Sequence, residues 1–131
     1  MNQNQDRTTT ITILLVDDDP SALQGMEAFL HGLSCTVLPA SLPAEALKTA
    51  EVLPLNLDIL ITDIWMPGMD GFELARGVVE RHPSVKVLYV TGDKVAGERL
   101  RKEDLPHLLK PFTLQEMRAA LNLLLWGRVV L

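Results

Sequence analysis

The chain has 131 residues, 47% of them hydrophobic and 22% charged, which suits one folded domain and excludes a disordered protein. Its net charge of −5 argues against non-specific nucleic-acid binding, and no apolar run approaches the ~18 residues of a membrane span. The start carries no signal-peptide segment, and the single cysteine, Cys35, allows no internal disulfide, so we expect a cytoplasmic protein. Residues 1–10 are predicted to be a disordered lead-in.

The first part of the chain alternates between strand and helix patterns. The unbroken apolar run at 11–16 is typical of a strand buried on both faces. Asp19 can cap a helix that has Pro20 in its first position, and apolar residues at helical spacing continue it to about Leu33. The shorter run at 35–38 predicts an edge strand.

The middle of the chain repeats this alternation. Ser41 and Pro43 open a second helix, which Pro54 ends. A third strand is predicted at 58–62, and the turn-rich segment 66–71 follows it.

The last third of the chain completes five strand–helix pairs. A helix runs to Arg81, and a strand at 85–90 follows it. The helix near 94–102 holds many charges and few apolar residues, so we expect it to be poorly anchored and mobile. A short strand at 107–109 comes next. This order implies a parallel sheet with helices on both faces and right-handed crossovers.

The final helix begins with a capping box formed by Thr113 and Glu116. A second apolar set beside its core stripe contains Leu123, Trp126 and Val130. Because a helix end that is apolar on several sides usually contacts something, we expect a homodimer partner or the remainder of a longer protein there. The alternative is that Trp126 folds back over the base of its own domain. The core stripe itself consists of Leu114, Met117, Leu121 and Leu124.

Five polar residues stand where apolar runs stop: Asp17, Asp18, Asp63, Thr91 and Lys110. The carboxyl ends of parallel strands share one edge of the sheet, which is where ligands bind in open α/β sheets. Carboxylates this close raise each other's pKa unless a cation neutralises them. Carboxylate oxygens without a His or Cys cluster point to Mg²⁺ or a similar hard ion.

The same edge also suits phosphoryl chemistry. Asp63 can act as a nucleophile that forms an acyl phosphate, with an adjacent metal offsetting the charge. Lys110 can pair with phosphoryl oxygens, and Thr91 can donate one hydrogen bond. Taken alone, Lys110 would be a surface lysine and Thr91 a strand-ending residue, but the ordered set favours a site.

Over about residues 11–126 the chain resembles a response-regulator receiver domain of two-component signalling, with 127–131 as a C-terminal tail. Its motifs are weak one by one, but their order and spacing are specific. The resemblance implies a flavodoxin-like three-layer α/β sandwich, with a five-stranded parallel sheet in the order 2-1-3-4-5 and five helices. The motifs are Leu15-Val16-Asp17-Asp18-Asp19-Pro20, Thr62-Asp63-Ile64-Trp65-Met66-Pro67-Gly68-Met69-Asp70-Gly71, Val90-Thr91-Gly92 and Leu109-Lys110-Pro111-Phe112.

The resemblance also implies residue roles. Asp63 would accept a phosphoryl group from the phosphohistidine of a histidine kinase or phosphotransfer protein, and Thr91 and Lys110 would bind that group. Such a module phosphorylates and slowly dephosphorylates itself without turning over an external substrate, so we do not expect an enzyme. The implied Mg²⁺ ligands are Asp17, Asp18, Asp63 and the backbone carbonyl of Trp65.

Two departures from the family concern the switch and the output face. His107 stands where the family has a Tyr or Phe that swings inward, so it is either a weaker, titratable switch or a strand histidine without that role. The segment from Thr91 to Lys110 is short and has Leu105-Pro106 before the last strand, which predicts a short or irregular fourth helix. Short versions of this kind resemble the receivers of hybrid histidine kinases.

A third departure is Trp65, a large side chain two residues past Asp63. We predict that it shields the acyl phosphate from water.

Two other functions stay open at this point. One is a phosphohydrolase of the haloacid-dehalogenase type, since Asp17 and Asp19 offer an Asp-x-Asp pair. Pro20, the missing second acidic motif and the short chain argue against it. The other is a receiver-like module that binds partners without phosphorylation. For the leading interpretation we expect a histidine kinase or phosphotransfer protein as partner, with no nucleic acid and no membrane.

Overall fold

The computed structural model describes residues 10–127, in which five strands alternate with five helices. The strands pair in parallel in the order β2-β1-β3-β4-β5, which confirms the flavodoxin-like prediction. Residues 1–9 of the predicted lead-in and 128–131 of the predicted tail lie outside the described residues. The elements are β1 Thr12–Val16, α1 Pro20–Gly32, β2 Thr36–Ala40, α2 Pro43–Val52, β3 Ile59–Asp63, α3 Gly71–Arg81, β4 Lys86–Thr91, α4 Lys94–Lys102, β5 His107–Leu109 and α5 Leu114–Trp126.

The core consists of two apolar layers, one on each face of the sheet. Alternate residues of β1 supply both layers, which is why its sequence is apolar throughout: Leu14 faces one cluster and Ile13 the other. The first cluster packs under α2, α3 and α4, for example at Leu74 and Leu100. The second packs under α1 and α5, for example at Met117. The central strands are therefore packed on both faces, and this packing fixes the position of the residues at their ends.

Side-chain caps start four of the five helices. Asp19 accepts from the Ser21 N–H at 3.0 Å with Pro20 in the first turn, as predicted. Thr113 and Glu116 form the predicted capping box of α5. Helix α2 differs from the prediction, because its N-cap is Leu42, which makes no side-chain cap bond. The remaining two helices are capped by Asp70 and Asp93.

Several strand boundaries are shifted from the prediction. Strand β2 begins at Thr36 and extends to Ala40, because Pro39 is tolerated on an edge strand that needs no second ladder. Strands β3 and β4 each run one residue further, so Asp63 and Thr91 are the last residues of their strands. Both site residues are thus fixed by sheet backbone rather than by a loop.

Helix α4 is short, as predicted, with nine residues, but it is a regular α-helix rather than an irregular one. It ends at Lys102 with Glu103 as its C-cap, and Asp104 then adopts a left-handed conformation with φ of 54°. Its expected mobility stays a prediction.

The end of α5 leaves two large apolar side chains in solvent. Leu123 is 55% exposed and Trp126 is 57% exposed, although Trp126 also lines a groove at the base of the domain with Ile11 and Leu33. Val130, which we grouped with them, lies outside the described residues. Within residues 10–127, no helix is long and apolar enough to cross a bilayer.

Candidate functional site

The structure brings the five predicted polar residues together at the carboxyl edge of the sheet. Asp17 follows β1 and is fully buried, Asp18 is exposed, and Asp63 lies between these extremes. One carboxylate oxygen of each aspartate lies within 4.8 Å of the others. The Lys110 Nζ donates to Asp17 Oδ2 at 2.9 Å and to Asp63 Oδ2 at 3.2 Å.

Backbone amides orient the two inner carboxylates. The Asp19 N–H donates to Asp17 Oδ1 at 2.9 Å, and the Ile64 N–H donates to Asp63 Oδ1 at 2.8 Å. Each of these aspartates therefore has one oxygen held by the main chain, while its other oxygen contacts Lys110. The Asp63 carboxylate is thus oriented partly by the residue that directly follows it in the chain, Ile64.

The charges of the site are unbalanced. Burial raises the pKa of Asp63, and Lys110 opposes this rise. Burial also acts to lower the pKa of Lys110, but its bonds to Asp17 and Asp63 hold that pKa above its ordinary value. Lys110 thus stays an ammonium, and one cation serves three clustered carboxylates. The formal excess of two negative charges suits a divalent cation.

The donor set fits Mg²⁺. Asp17, Asp18 and Asp63 supply only oxygen ligands to the cluster, which hard cations prefer. One oxygen of each carboxylate lies within 4.8 Å of the others, so the three can converge on a single cation. The predicted fourth ligand, the carbonyl of Trp65, belongs to the loop that directly follows Asp63.

Thr91 and Lys110 are joined through their backbones. The Lys110 N–H donates to the Thr91 carbonyl at 2.8 Å, so the end of β5 is placed beside the end of β4. The Thr91 side chain is buried, and its Oγ1 accepts from the Asp93 N–H at 3.1 Å. The hydroxyl hydrogen of Thr91 is therefore not used in that bond.

Gly71 is a site residue that the sequence reasoning did not single out beyond its place in a turn. Its N–H donates to the Ile64 carbonyl at 2.7 Å, which folds the loop back onto the end of β3. A Cβ at this position would overlap the carbonyl oxygen of Asp63. The close approach that places the phosphoacceptor candidate therefore requires glycine.

Asp93 was also missed, although an aspartate directly before a predicted helix is a recognisable N-cap signal. Its Oδ1 accepts from the Val95 N–H at 3.0 Å and caps α4. Its Oδ2 accepts from the indole Nε1–H of Trp65 at 2.6 Å. This single aspartate links the loop after β3 to the start of α4, while the Trp65 side chain remains 54% exposed.

His107 begins β5 and pairs with Tyr89 of β4. Its Nδ1 lies 2.7 Å from the Leu105 carbonyl oxygen, and because a carbonyl only accepts, Nδ1 is the donor. The half-buried ring is thus tied to the backbone just before its own strand. Its switch role stays a prediction.

Comparison with known proteins agrees with this geometry. The family model described as "Response regulator receiver domain" matches residues 13–122. The chain belongs to this receiver family. The match confirms the resemblance argued from the motifs, and it does not favour the phosphohydrolase alternative. Receivers of this family are not enzymes in the usual sense.

Curated relatives carry receivers within longer proteins. The sensor kinase CckA of Brucella abortus is 33% identical over 115 residues, which are 86% of this chain and 12% of that protein. The DNA-binding transcriptional regulator NtrC of Klebsiella pneumoniae is 34% identical and aligns with 82% of this receiver and 23% of NtrC. The probable C4-dicarboxylate response regulator DctR of Halalkalibacterium halodurans is 32% identical, over 86% and 50% of the two chains. This receiver therefore spans half or less of these relatives.

Solved structures show the same fold. A response-regulator receiver domain from Clostridium thermocellum superposes with a TM-score of 0.76 at 30% identity, covering 87% of this receiver and 93% of that chain. The chemotaxis protein CheY4 of Vibrio cholerae gives a TM-score of 0.77 at 25% identity, over 89% and 100% of the two chains.

Proposed function

We propose that this receiver is the phosphoacceptor module of a two-component phosphorelay, with Asp63 as the residue that is phosphorylated. The observation that carries the proposal is the position of the Asp63 carboxylate. One of its oxygens is held by the Ile64 N–H, and the other faces Lys110 inside the three-aspartate pocket.

The reaction would proceed by direct transfer. Asp63 Oδ2 attacks the phosphorus of a phosphohistidine on a histidine kinase or phosphotransfer protein, the P–N bond breaks, and the imidazole leaves with its bonding electrons and takes up a proton. When bound by Asp17, Asp18, Asp63 and the Trp65 carbonyl, Mg²⁺ supplies positive charge that offsets the negative charge of the phosphoryl oxygens.

Two other side chains are proposed to hold the product. Before the reaction, the Lys110 ammonium donates to Asp63 Oδ2, the attacking oxygen. After transfer it can pair with the negatively charged phosphoryl oxygens. Thr91 can donate its free hydroxyl hydrogen to the same group, since its oxygen already accepts from the Asp93 amide. A buried threonine and a half-buried lysine are well placed for a site that excludes water.

The central test is incubation with a small phosphodonor and Mg²⁺, followed by intact mass measurement. Wild type should gain an acid-stable, base-labile phosphoryl group, and Asp63→Asn should not. Asp19→Asn is the matched control, because Asn also caps α1 and Asp19 lies in the same segment, so it should still be phosphorylated. No adduct with any phosphodonor or kinase contradicts the proposal. Turnover of a generic phosphate ester that Asp17→Asn abolishes and Asp63→Asn retains would instead support the phosphohydrolase.

Trp65 is proposed to slow hydrolysis of the acyl phosphate. Its hydrogen bond to Asp93 holds the indole across the two loops that flank the site. We expect Trp65→Asn to lose the phosphoryl group faster than wild type, because Asn leaves the same face open to water. Equal hydrolysis rates would rule this shielding out.

His107 is proposed to be the switch residue of the face formed by α4, β5 and α5. Its bond to the Leu105 carbonyl would have to break before the ring could turn inward. If it is the switch, addition of beryllofluoride and Mg²⁺ should change the ring resonances of His107 in wild type but not in Asp63→Asn. Unchanged resonances in wild type would assign His107 no switch role and would favour a module that binds partners without phosphorylation.

We further infer a protein contact at the end of α5, either with a second copy or with further parts of a longer protein, acting in the cytoplasm where kinase phosphohistidines are presented. The exposed Leu123 and Trp126 support it. Sedimentation at several concentrations should show association that Trp126→Ala weakens. A concentration-independent monomer in both proteins would remove the homodimer.

A further inference from the structure

An apolar groove lies between helices α3 and α4 beside the amino-terminal part of strand β4, and we call it the α3–α4 groove. Its volume is about 660 Å³, which is within the range of about 300–1,000 Å³ that small-molecule sites occupy. The apolar side chains that line it include Phe72, Ala75, Val79, Val85, Val87 and Leu105.

The groove is open because α4 is too short to cover the whole of β4. Nine helical residues span about 13 Å, whereas the six residues of β4 span about 20 Å. Helix α4 ends at Lys102, and the chain then passes through Leu105 and Pro106 to reach β5. The space between the end of α4 and α3 is therefore left to the groove.

One wall of the groove holds a hydroxyl without a partner. Tyr89 is only 7% exposed and its ring packs on Phe72 with centroids 5.0 Å apart, yet its OH makes no hydrogen bond to any described residue. Burial raises the pKa of Tyr89, so the hydroxyl is protonated and can donate. The charges of Arg76 and Arg99 oppose this rise, so both guanidinium groups are close enough to act on the hydroxyl. A buried donor of this kind normally has an acceptor.

The rim of the groove carries one positive charge in excess. Arg99 is paired with Glu103 at 2.9 Å. Among the described residues that line the groove, Arg76 and Lys86 have no ion pair, and Glu80 is the single acid without one. The two unpaired cations and one unpaired acid leave a formal charge of +1, which a monoanion would balance.

We propose that the α3–α4 groove binds a small monocarboxylic acid with an apolar body, of the arylalkanoic or fatty-acid type. Its carboxylate accepts from the Tyr89 hydroxyl and pairs with Arg76, while its body covers the apolar walls. A dianionic phosphate ester fits less well, because its charge would exceed that of the rim and face Glu80 and Glu103. Water can satisfy the hydroxyl, but it leaves the apolar walls wet.

This ligand would leave the rest of the strand as it is. It contacts side chains only, so the pairing of β4 with β5 and the bond between the Tyr89 N–H and the Pro106 carbonyl stay intact. The groove is also independent of the role proposed for Asp63, since Thr91 of the phosphoacceptor pocket lies at the other end of β4. Asp63→Asn should therefore bind the acid as wild type does.

The test is titration of ¹⁵N-labelled protein with 4-phenylbutyrate and, separately, with octanoate, which distinguishes an aryl body from an alkyl one. Shift changes should be confined to the groove, and nuclear Overhauser effects should join the ligand to the Val79 methyl groups. The expected dissociation constant of the better ligand is about 0.1–1 mM, since both acids are small. The amide 4-phenylbutyramide has the same body without the charge and should bind at least tenfold more weakly.

Two variants and one control separate the polar contacts. Tyr89→Phe keeps the ring and should weaken binding of 4-phenylbutyrate roughly fivefold by removing one hydrogen bond. Arg76→Gln should weaken it by a similar factor. Arg81→Gln is the matched control, because Arg81 belongs to the same helix but lies outside the groove lining, and it should leave binding unchanged. Spectra without ligand should show that each variant keeps the fold.

The size of the ligand supplies a last control. Acetate has the charge without the body and should not reproduce the shift changes. The proposal is overturned if acetate reproduces them, if the amide binds as tightly as the acid, or if Tyr89→Phe and Arg76→Gln both bind like wild type. It is also overturned if neither acid causes a localised change up to millimolar concentration.

Discussion

The two ends of strand β4 differ in how completely their polar groups are satisfied. At the carboxyl end, the Thr91 carbonyl accepts from Lys110 and its side-chain oxygen accepts from Asp93, beside carboxylates that are also bonded. At the amino end, the strand lines the α3–α4 groove, where the Tyr89 hydroxyl has no partner among the described residues. A strand of six residues thus joins a saturated pocket to an apolar groove, because α4 covers only part of it. Stability measurements should therefore respond strongly at the first end and weakly at the second.

The largest effect should come from Lys110→Met without divalent metal. Asp17 is fully buried and its outer oxygen bonds Lys110, so removal of the ammonium leaves a buried carboxylate without a cation. We expect urea unfolding to show a loss of about 3 kcal/mol, which millimolar Mg²⁺ partly restores. Lys102→Met, an exposed lysine of α4, is the control and should stay within about 0.5 kcal/mol of wild type. If both variants lost the same free energy of unfolding, the bond between Lys110 and the buried Asp17 carboxylate would not stabilise the pocket.

The saturated end was predictable because its signal is local in the sequence. Each polar residue follows an apolar run, and parallel strands bring their ends to one edge whatever the details of the loops. The placement of Asp17, Asp63 and Lys110 at one edge needed only this order, while their roles came from the resemblance to receivers. The same reasoning recovered the caps Asp19 and Thr113, since an N-cap signal lies within four residues.

The α3–α4 groove was not predictable because it depends on how the helices pack on the sheet. The sequence predicts a short fourth helix, but only the folded chain shows that Tyr89 lines a groove together with Phe72 and Arg76. Likewise, Gly71 is recognisable as a turn residue, while its contact with the Asp63 carbonyl requires the loop to be folded. Asp93 and Trp65 are 28 residues apart, and no local pattern joins them.

A second test of the pocket is Gly71→Ala. The added Cβ would overlap the carbonyl oxygen of Asp63, a backbone atom that cannot move without displacing the end of β3. We expect a loss of about 2 kcal/mol in the free energy of unfolding together with slower phosphorylation. Gly25→Ala in α1 is matched to it, because nothing lies within 4 Å of that Cβ. The control should gain up to about 1 kcal/mol from helix propensity. If Gly71→Ala changed neither stability nor phosphorylation, residue 71 would not lie as close to the Asp63 carbonyl as the structure indicates.

Asp63→Asn should change the free energy of unfolding less than Lys110→Met or Gly71→Ala does, and it should raise stability instead of lowering it. Burial raises the pKa of Asp63, so the folded state holds this proton more tightly than the unfolded state does. As pH rises from the ordinary value of 3.8 through the folded pKa, wild type loses stability that Asp63→Asn does not lose. Without metal, the variant should therefore unfold at higher urea than wild type near neutral pH, and the difference should vanish below about pH 3. Mg²⁺ should reduce the difference in urea midpoint between Asp63→Asn and wild type. A variant less stable at neutral pH would show that the bond to Lys110 outweighs burial.

The smallest expected effect concerns the link between Trp65 and Asp93, which lies at the rim of the pocket and is partly exposed. Trp65→Phe keeps a ring but removes the indole donor, while Asp93→Ser keeps the cap on Val95 but removes the acceptor. A double-mutant cycle on urea unfolding should give a coupling of about 0.5 kcal/mol. Hydrolysis of the phosphorylated proteins should quicken by about twofold in each single variant and no further in the double variant, because either change removes the same bond. Rates that multiply in the double variant would mean that Trp65 and Asp93 act on the phosphoryl group separately rather than through their hydrogen bond.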